Sequence, residues 1–269
     1  MIHLQEKEDV TCVKAITEKG RIVYTYLVDG MLIDTGAQSL EKDLIPFYKN
    51  HSFEKVALTH SHEDHTGTAP WIQENLGVPI YIHPTGIDIC SKYCPYPQYR
   101  QNSWGIRKEF EALPIGDTID SRNQEWKIIY TPGHADDHIS LFDEETGRLF
   151  SGDLFLATKT KLIMDTESVP VMISSIRELL TFDFETIFCS HAGYLHNGRR
   201  LLKQKLDYLV TIYGEVDGLY AEGISIEEID RRLFPKRYPI VEISKGEFNS
   251  INIILSIIED IKKENNNPN

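Results

Sequence analysis

Apolar and β-branched residues dominate the first third of the chain in short runs. Segments 10–16, 21–28 and 31–34 carry them, and Gly20 and Gly30 separate the runs, which predicts consecutive strands. A helix is expected over 39–49, a short buried strand over 55–59, a helix over 66–76 that stops at Gly77, and a strand over 79–83. Between 92 and 112 neither period is sustained. Tyr93, Tyr96, Tyr99, Trp104 and Phe110 are mixed with Pro95, Pro97 and Gly105, and a long ordered loop is expected. Strand patterns return at 124–130, 138–142 and 148–151, with a turn at 144–147; a helix over 169–180 and a strand over 186–189 follow. Strands with interspersed helices, twice over, predict an α/β fold in which two sheets pack together with helices outside, a four-layer αββα sandwich.

After Asn197 the pattern turns helical. One helix is expected over 198–213. Ser225-Ile226-Glu227-Glu228 forms a capping box that opens a second. Ser244-Lys245-Gly246-Glu247 is read as another, opening a helix with an apolar stripe of Phe248, Ile251, Leu255, Ile258 and Ile261. The polar tail 264–269 is expected to fray. The reading is a catalytic core over 1–197 and a small C-terminal helical appendage over 198–269.

Charge narrows the partners. The 269 residues carry a formal net charge of −13, which disfavours nucleic acid and leaves a small molecule as the expected substrate. No run approaches the roughly 20 apolar residues of a membrane span, and the polar start of the chain lacks signal-peptide character; a cytoplasmic location is expected. Cys12, Cys90, Cys94 and Cys189 are scattered, which fits a reducing compartment. Cys90 and Cys94 could share a helical face, but no second pair accompanies them, and no cysteine metal site is expected. Oligomeric state is left open, a dimer included.

The chemistry is concentrated in Thr59-His60-Ser61-His62-Glu63-Asp64-His65, between a predicted strand and a predicted helix. Imidazole and carboxylate suit zinc, and also iron or manganese. His60 and His62 are two apart and point the same way in extended chain; Asp64 and His65, after the turn, can face a second ion. A polar surface turn rarely holds so many ligand types, and a mononuclear site is the serious rival. Three further candidates follow strands or turns: His134 after Thr131-Pro132-Gly133, Asp153 after Ser151-Gly152, and His191 after Ser190. Each alone is weak; together they supply the ligands that the first cluster lacks.

These elements jointly resemble the metallo-β-lactamase superfamily, from Ile33-Asp34-Thr35-Gly36 to about Asn197. The resemblance implies that His60, His62 and His134 hold one divalent ion and Asp64, His65 and His191 a second. It further implies that Asp153 bridges the two with a water or hydroxide, that Asp64 and Asp153 are catalytic, and that Asp34 supports the loops from behind. Zinc is the expected metal, with iron and manganese as alternatives. Gly67-Thr68 departs from the usual Gly-Gly pair. Asp153 stands where the commonest zinc β-lactamases have cysteine, which argues against β-lactam hydrolysis, and diiron reductases carry glutamate in place of His62. The branch implied includes glyoxalase II, lactonases, phosphodiesterases and ribonucleases. Asp136-Asp137-His138 and Leu195-His196-Asn197-Gly198 are similar to the subgroup around β-lactamase-like protein 2. His138 is expected to support the His134 loop or face outward, with substrate contact as the alternative. Hydrolysis of an ester-like bond, as in a thioester or lactone, is the leading expectation. An endoribonuclease or phosphodiesterase comes second, with Arg199, Arg200, Lys203 and Lys205 as its only basic cluster. An iron-dependent persulfide-type dioxygenase comes third.

Overall fold

The structure, a computed structural model, describes residues 1–266. The chain divides into two compact units. The first comprises Met1–Tyr130, Asp136–Leu156 and Asp183–Arg199; the second comprises Thr131–Ala135, Ala157–Phe182 and the chain from Arg200 onward.

Among the described residues of the first unit, seven strands form one sheet in sequence order: β1 (Ile2–Lys7), β2 (Val10–Ile16), β3 (Ile22–Val28), β4 (Met31–Ile33), β5 (Lys55–Ala57), β6 (Ile80–Ile82) and β7 (Leu113–Pro114). Pairing is antiparallel from β1 to β4 and parallel from β4 to β7. The second sheet holds β8 (Thr118–Asp120), β9 (Glu125–Tyr130), β10 (Ile139–Asp143), β11 (Arg148–Gly152) and the strands Thr186–Cys189 and Gly193–Leu195. Within it, β11 and Thr186–Cys189 run parallel. Helices of this unit are α1 (Glu41–Asn50), α2 (Glu63–Thr66), α3 (Ala69–Leu76), α4 (Ile87–Cys90) and α5 (Gln98–Trp104).

The two sheets face each other. Tyr26, Met31 and Ile33 of the first meet Trp126, Leu141, Phe150 and Phe188 of the second in one buried cluster. The Tyr26 ring centroid lies 5.3 Å from that of Phe150 and 5.4 Å from that of Phe188. Burying each such side chain contributes roughly 1.5–3 kcal/mol. On the other face of the first sheet, Val13, Ala15, Val23 and Leu32 pack with Leu44, Phe47 and Tyr48 of α1 and Ala69 and Ile72 of α3. The α/β sandwich expected from the alternation of elements is present.

Several expectations need correction. β1 has no counterpart among the predicted strands: it is an edge strand, largely exposed, without the apolar alternation that marks a core strand. The 92–112 loop contains α5, a helix with no buried residue, so no apolar period announces it. Arg107 is fully buried and donates to the carbonyls of Ile89, Cys90, Lys92 and Lys108, holding this segment together.

The second unit contains α6 (Val169–Leu179), most of α7 (Gly198–Ala221), α8 (Ile226–Leu233), α9 (Pro239–Ile243) and α10 (Ile251–Asn266), with Ile163–Met164 paired to Phe248–Asn249. Ser225 caps α8 as expected, its hydroxyl accepting the Glu228 N–H at 3.3 Å. Ser244 does not open a helix. It ends α9, and its hydroxyl accepts the N–H of Phe248, which is in a strand. α10 therefore starts at Ile251 and buries Ile253, Ile254, Ile257, Ile258 and Ile261, while Leu255 of the expected stripe is exposed. α10 continues through Asn266, and residues 267–269 of the expected frayed tail lie outside the described residues.

Candidate metal centre

Parallel pairing brings the chemistry to neighbouring strand ends. β4 and β5 are parallel neighbours, so Asp34 after β4 and Thr59-His60 after β5 emerge side by side. In the second sheet the parallel pair β11 and Thr186–Cys189 delivers Asp153 and His191 in the same way. The register slips between Phe150 and Gly152, and Gly152 sits at φ +47. This irregularity re-aims the chain just before Asp153. The Ile139 N–H donates to the Thr59 carbonyl at 2.8 Å and ties the two sheets beside the site.

Asp34 is the hub. It is buried, with φ +57, a conformation that aspartate tolerates better than most residues. Its carboxylate accepts the Thr59 N–H at 2.8 Å, the Thr59 hydroxyl at 2.9 Å and the Ser190 hydroxyl at 3.3 Å. It also holds His65 Nδ1 at 2.8 Å. One carboxylate thus ties two of the loops that carry ligand candidates, 59–65 and the one that bears His191. The Thr59 hydroxyl, having donated to Asp34, can only accept from His60 Nδ1 at 3.1 Å. That sets the His60 Nε2 lone pair inward, 3.0 Å from His62 Nδ1.

His65 Nε2 is buried without a hydrogen-bond partner, 3.5 Å from Asp153 Oδ1 and 3.8 Å from Asp64 Oδ1. His191 uses Nδ1 on the Ile22 carbonyl at 2.6 Å and turns Nε2 to Asp64 Oδ2 at 3.2 Å and Asp153 Oδ2 at 3.1 Å. Ligand-type atoms of His60, His65 and Asp153 lie within 4.8 Å of one another, as do those of Asp64, His65 and His191. Two nitrogens whose other ring atom is already engaged face two carboxylates, and a divalent cation fits that donor set.

Charge coupling is strong. Burial pushes the Asp64 and Asp153 carboxyls up, but the charges of His65 and His191 outweigh it and hold both below the usual carboxylate range. Burial pushes His65 and His191 down, and Asp153 with the other nearby carboxylates more than reverses it, placing both well above the ordinary imidazole value.

His134 belongs to the second unit. It is buried, and its Nδ1 lies 3.1 Å from Glu167 Oε2, while Glu167 Oε1 accepts the Met164 N–H at 2.8 Å. Nothing in the sequence marks Glu167. His138 does not face outward: it is fully buried in the first unit, and its Nε2 accepts the Asp153 N–H at 3.1 Å. Burial pushes the Cys90 thiol up to about 12, and no cysteine joins a ligand cluster among the described residues. One further residue, Arg100, escaped sequence reasoning: it pairs with Glu63 of the 59–65 segment. Trp104, which the sequence sets among the aromatic residues of 92–112, places its ring 6.1 Å from that of His191.

Comparison with known proteins follows the same line. The family model described as the metallo-beta-lactamase superfamily matches residues 19–191. The Bacillus subtilis (strain 168) protein named "Probable metallo-hydrolase YqjP" is 28% identical over 80% of this chain and 82% of its own length. A hydroxyacylglutathione hydrolase of Hahella chejuensis is 31% identical over 64% of this chain and 60% of its own. An atrochrysone carboxyl ACP thioesterase of Aspergillus fumigatus is 25% identical over 66% of this chain and 51% of its own. This chain thus spans between about half and four fifths of these relatives. Among solved structures, a metallo-beta-lactamase family protein of Thermus thermophilus superposes with a TM-score of 0.68 at 18% identity, covering 96% of this chain and 95% of its own. That likeness shows a shared fold.

Proposed function

We propose that this chain, which belongs to the metallo-beta-lactamase superfamily, is a dinuclear metallo-hydrolase that cleaves an ester-like bond in a small molecule, with a thioester as the first candidate. The observation that carries the reading is the convergence of His60, Asp64, His65, Asp153 and His191 around a buried His65 Nε2 that has no hydrogen-bond partner. The family pattern assigns His60, His62 and His134 to one ion, Asp64, His65 and His191 to the other, and Asp153 to both. Zinc suits this imidazole and carboxylate set, with iron and manganese as alternatives. Two relatives named as a thioesterase and a hydroxyacylglutathione hydrolase support the thioester class.

Divalent ions held there supply Lewis-acid polarisation of the acyl oxygen and lower the pKa of water. The protein's own groups do the rest. Asp34 and the Ile22 carbonyl engage the Nδ1 atoms of His65 and His191 and present their Nε2 atoms inward. His138 anchors Asp153 through its backbone N–H. Asp64 and Asp153 are the carboxylates that the family pattern offers to accept a proton when water attacks. The Trp104 ring lies 6.1 Å from that of His191. The net charge of −13 works against a polyanionic substrate. No described helix is long and apolar enough to cross a membrane.

The deciding experiment is elemental analysis of the purified protein together with a panel of thioester, lactone, phosphodiester and RNA substrates. About two ions per chain and turnover of a thioester or lactone, lost on chelation and restored by zinc, is the expected result. RNA cleavage would move the assignment to the nuclease branch. A single iron with oxygen consumption would replace hydrolysis with oxygenation.

A further inference from the structure

We propose that Arg100 is a positioning residue for the metal loop, and that its ion pair with Glu63 is the latch through which α5 holds His62 and Asp64 in place. The inference rests on the metal-centre reading above. Glu63 lies between two ligand candidates and is 1% exposed at its side chain. Arg100 Nε donates to Glu63 Oε1 and a terminal nitrogen donates to Oε2, both at 2.6 Å. A two-pronged contact of this kind fixes the carboxylate's rotation as well as its position. The turn it grips is short: α2 spans only Glu63–Thr66. Its ends are tied by the Thr66 hydroxyl on the His62 carbonyl at 2.9 Å and by Thr35 and Asp34 on His65, and the latch adds a hold on the side chain between His62 and Asp64.

The helix on the other side of the latch is itself seated by polar contacts and by Trp104, which packs against the core cluster. α5 buries no residue. Besides the latch, the Ser39 hydroxyl donates to the Ser103 carbonyl at 3.1 Å. Gly105, at φ +85, lies against Gln38 so closely that a Cβ would fall 2.2 Å from the Gln38 side-chain oxygen. The Arg100 guanidinium also lies over the buried Tyr96 ring at 5.1 Å. Trp104 occupies the same helix one turn later, next to His191. One ion pair therefore links the loop of His62 and Asp64 to the helix that flanks His191.

The test is zinc affinity by competition with a chromogenic chelator, on the full chain and on Arg100→Ala, Arg100→Lys and Glu63→Gln, with melting of each metal-free protein alongside. Arg100→Ala should weaken zinc binding by about 10–100-fold, the range for loss of a group that orients ligands. Arg100→Lys keeps the charge and loses the fork, so it should fold and recover only part of the affinity. It carries the test should the alanine variant fail to fold. Affinities of Arg100→Lys and Glu63→Gln within about twofold of the unaltered protein would overturn the proposal, whatever happens to melting. If the unaltered protein itself binds no divalent ion, the metal-centre reading fails, and the latch with it.

Discussion

Asp34 Oδ2 lies 2.8 Å from His65 Nδ1, with both side chains buried. The contact holds the imidazole by one nitrogen and leaves the other, without a partner of its own, facing Asp64 and Asp153. Asp34→Asn should be tolerated by the fold, because asparagine accepts the φ of +57 found here. Its metal affinity should fall by about 10–100-fold in chelator competition. Asp34→Ala should additionally destabilise by about 1–3 kcal/mol for each buried donor left unmade. Unchanged affinity in Asp34→Asn would show that Asp34 serves the fold alone.

Asp153→Ala and His62→Ala should abolish turnover, a larger loss than the about 100-fold that removal of an outer partner costs. The sandwich core lies in other residues, so far-ultraviolet circular dichroism should stay native. Loss of folding in both variants, unrescued by metal, would mean that the cluster is mainly structural.

The metal-free protein should be most stable between about pH 4 and 6.5. Asp64 and Asp153 are depressed, so their contribution is present above the ordinary carboxylate value and is lost as pH falls through the depressed ones. His65 and His191 are raised, so theirs is present below the ordinary imidazole value and is lost as pH rises through the raised ones. Adding zinc at neutral pH should therefore release protons, as calorimetry in buffers of different ionisation enthalpy reads directly. A melting temperature that does not change from weakly acid to alkaline pH in chelator would contradict this.

His138→Ala orphans the buried Asp153 N–H and should destabilise the protein by about 1–3 kcal/mol in denaturant unfolding. If His138 acts by anchoring Asp153, kcat falls with little change in KM. A rise in KM alone would mark a substrate contact instead.

In the second unit, Asn252 donates to the carbonyls of Ile163 at 3.1 Å and Glu247 at 2.9 Å. Asn252→Ala should lower stability by about 1–3 kcal/mol. A cost near zero would show that water satisfies those carbonyls in the variant.

His60, His62, Asp64 and His65 were legible as ligand candidates because imidazole and carboxylate are the groups that a cation needs, and four of them fall within six positions. The strands of the core were legible through their apolar runs. β1 and α5 were not, because each sets only one partly buried apolar residue, Ile2 or Trp104, against the core, too few to give a period. The contacts of the ligand candidates were hidden as well, for the resemblance put Asp34 behind the loops without saying which side chains it holds. Asp34 meets Ser190 across 156 residues, Glu63 meets Arg100 across 37, and His134 meets Glu167 across 33. The sequence by itself determined which atoms are available to a metal and which segments build the sheets. Only the tertiary structure decided which carboxylate holds which imidazole and which helix flanks the site. Ligand type is a property of the side chain, whereas partnership depends on strand register and on chain ends brought together by parallel pairing.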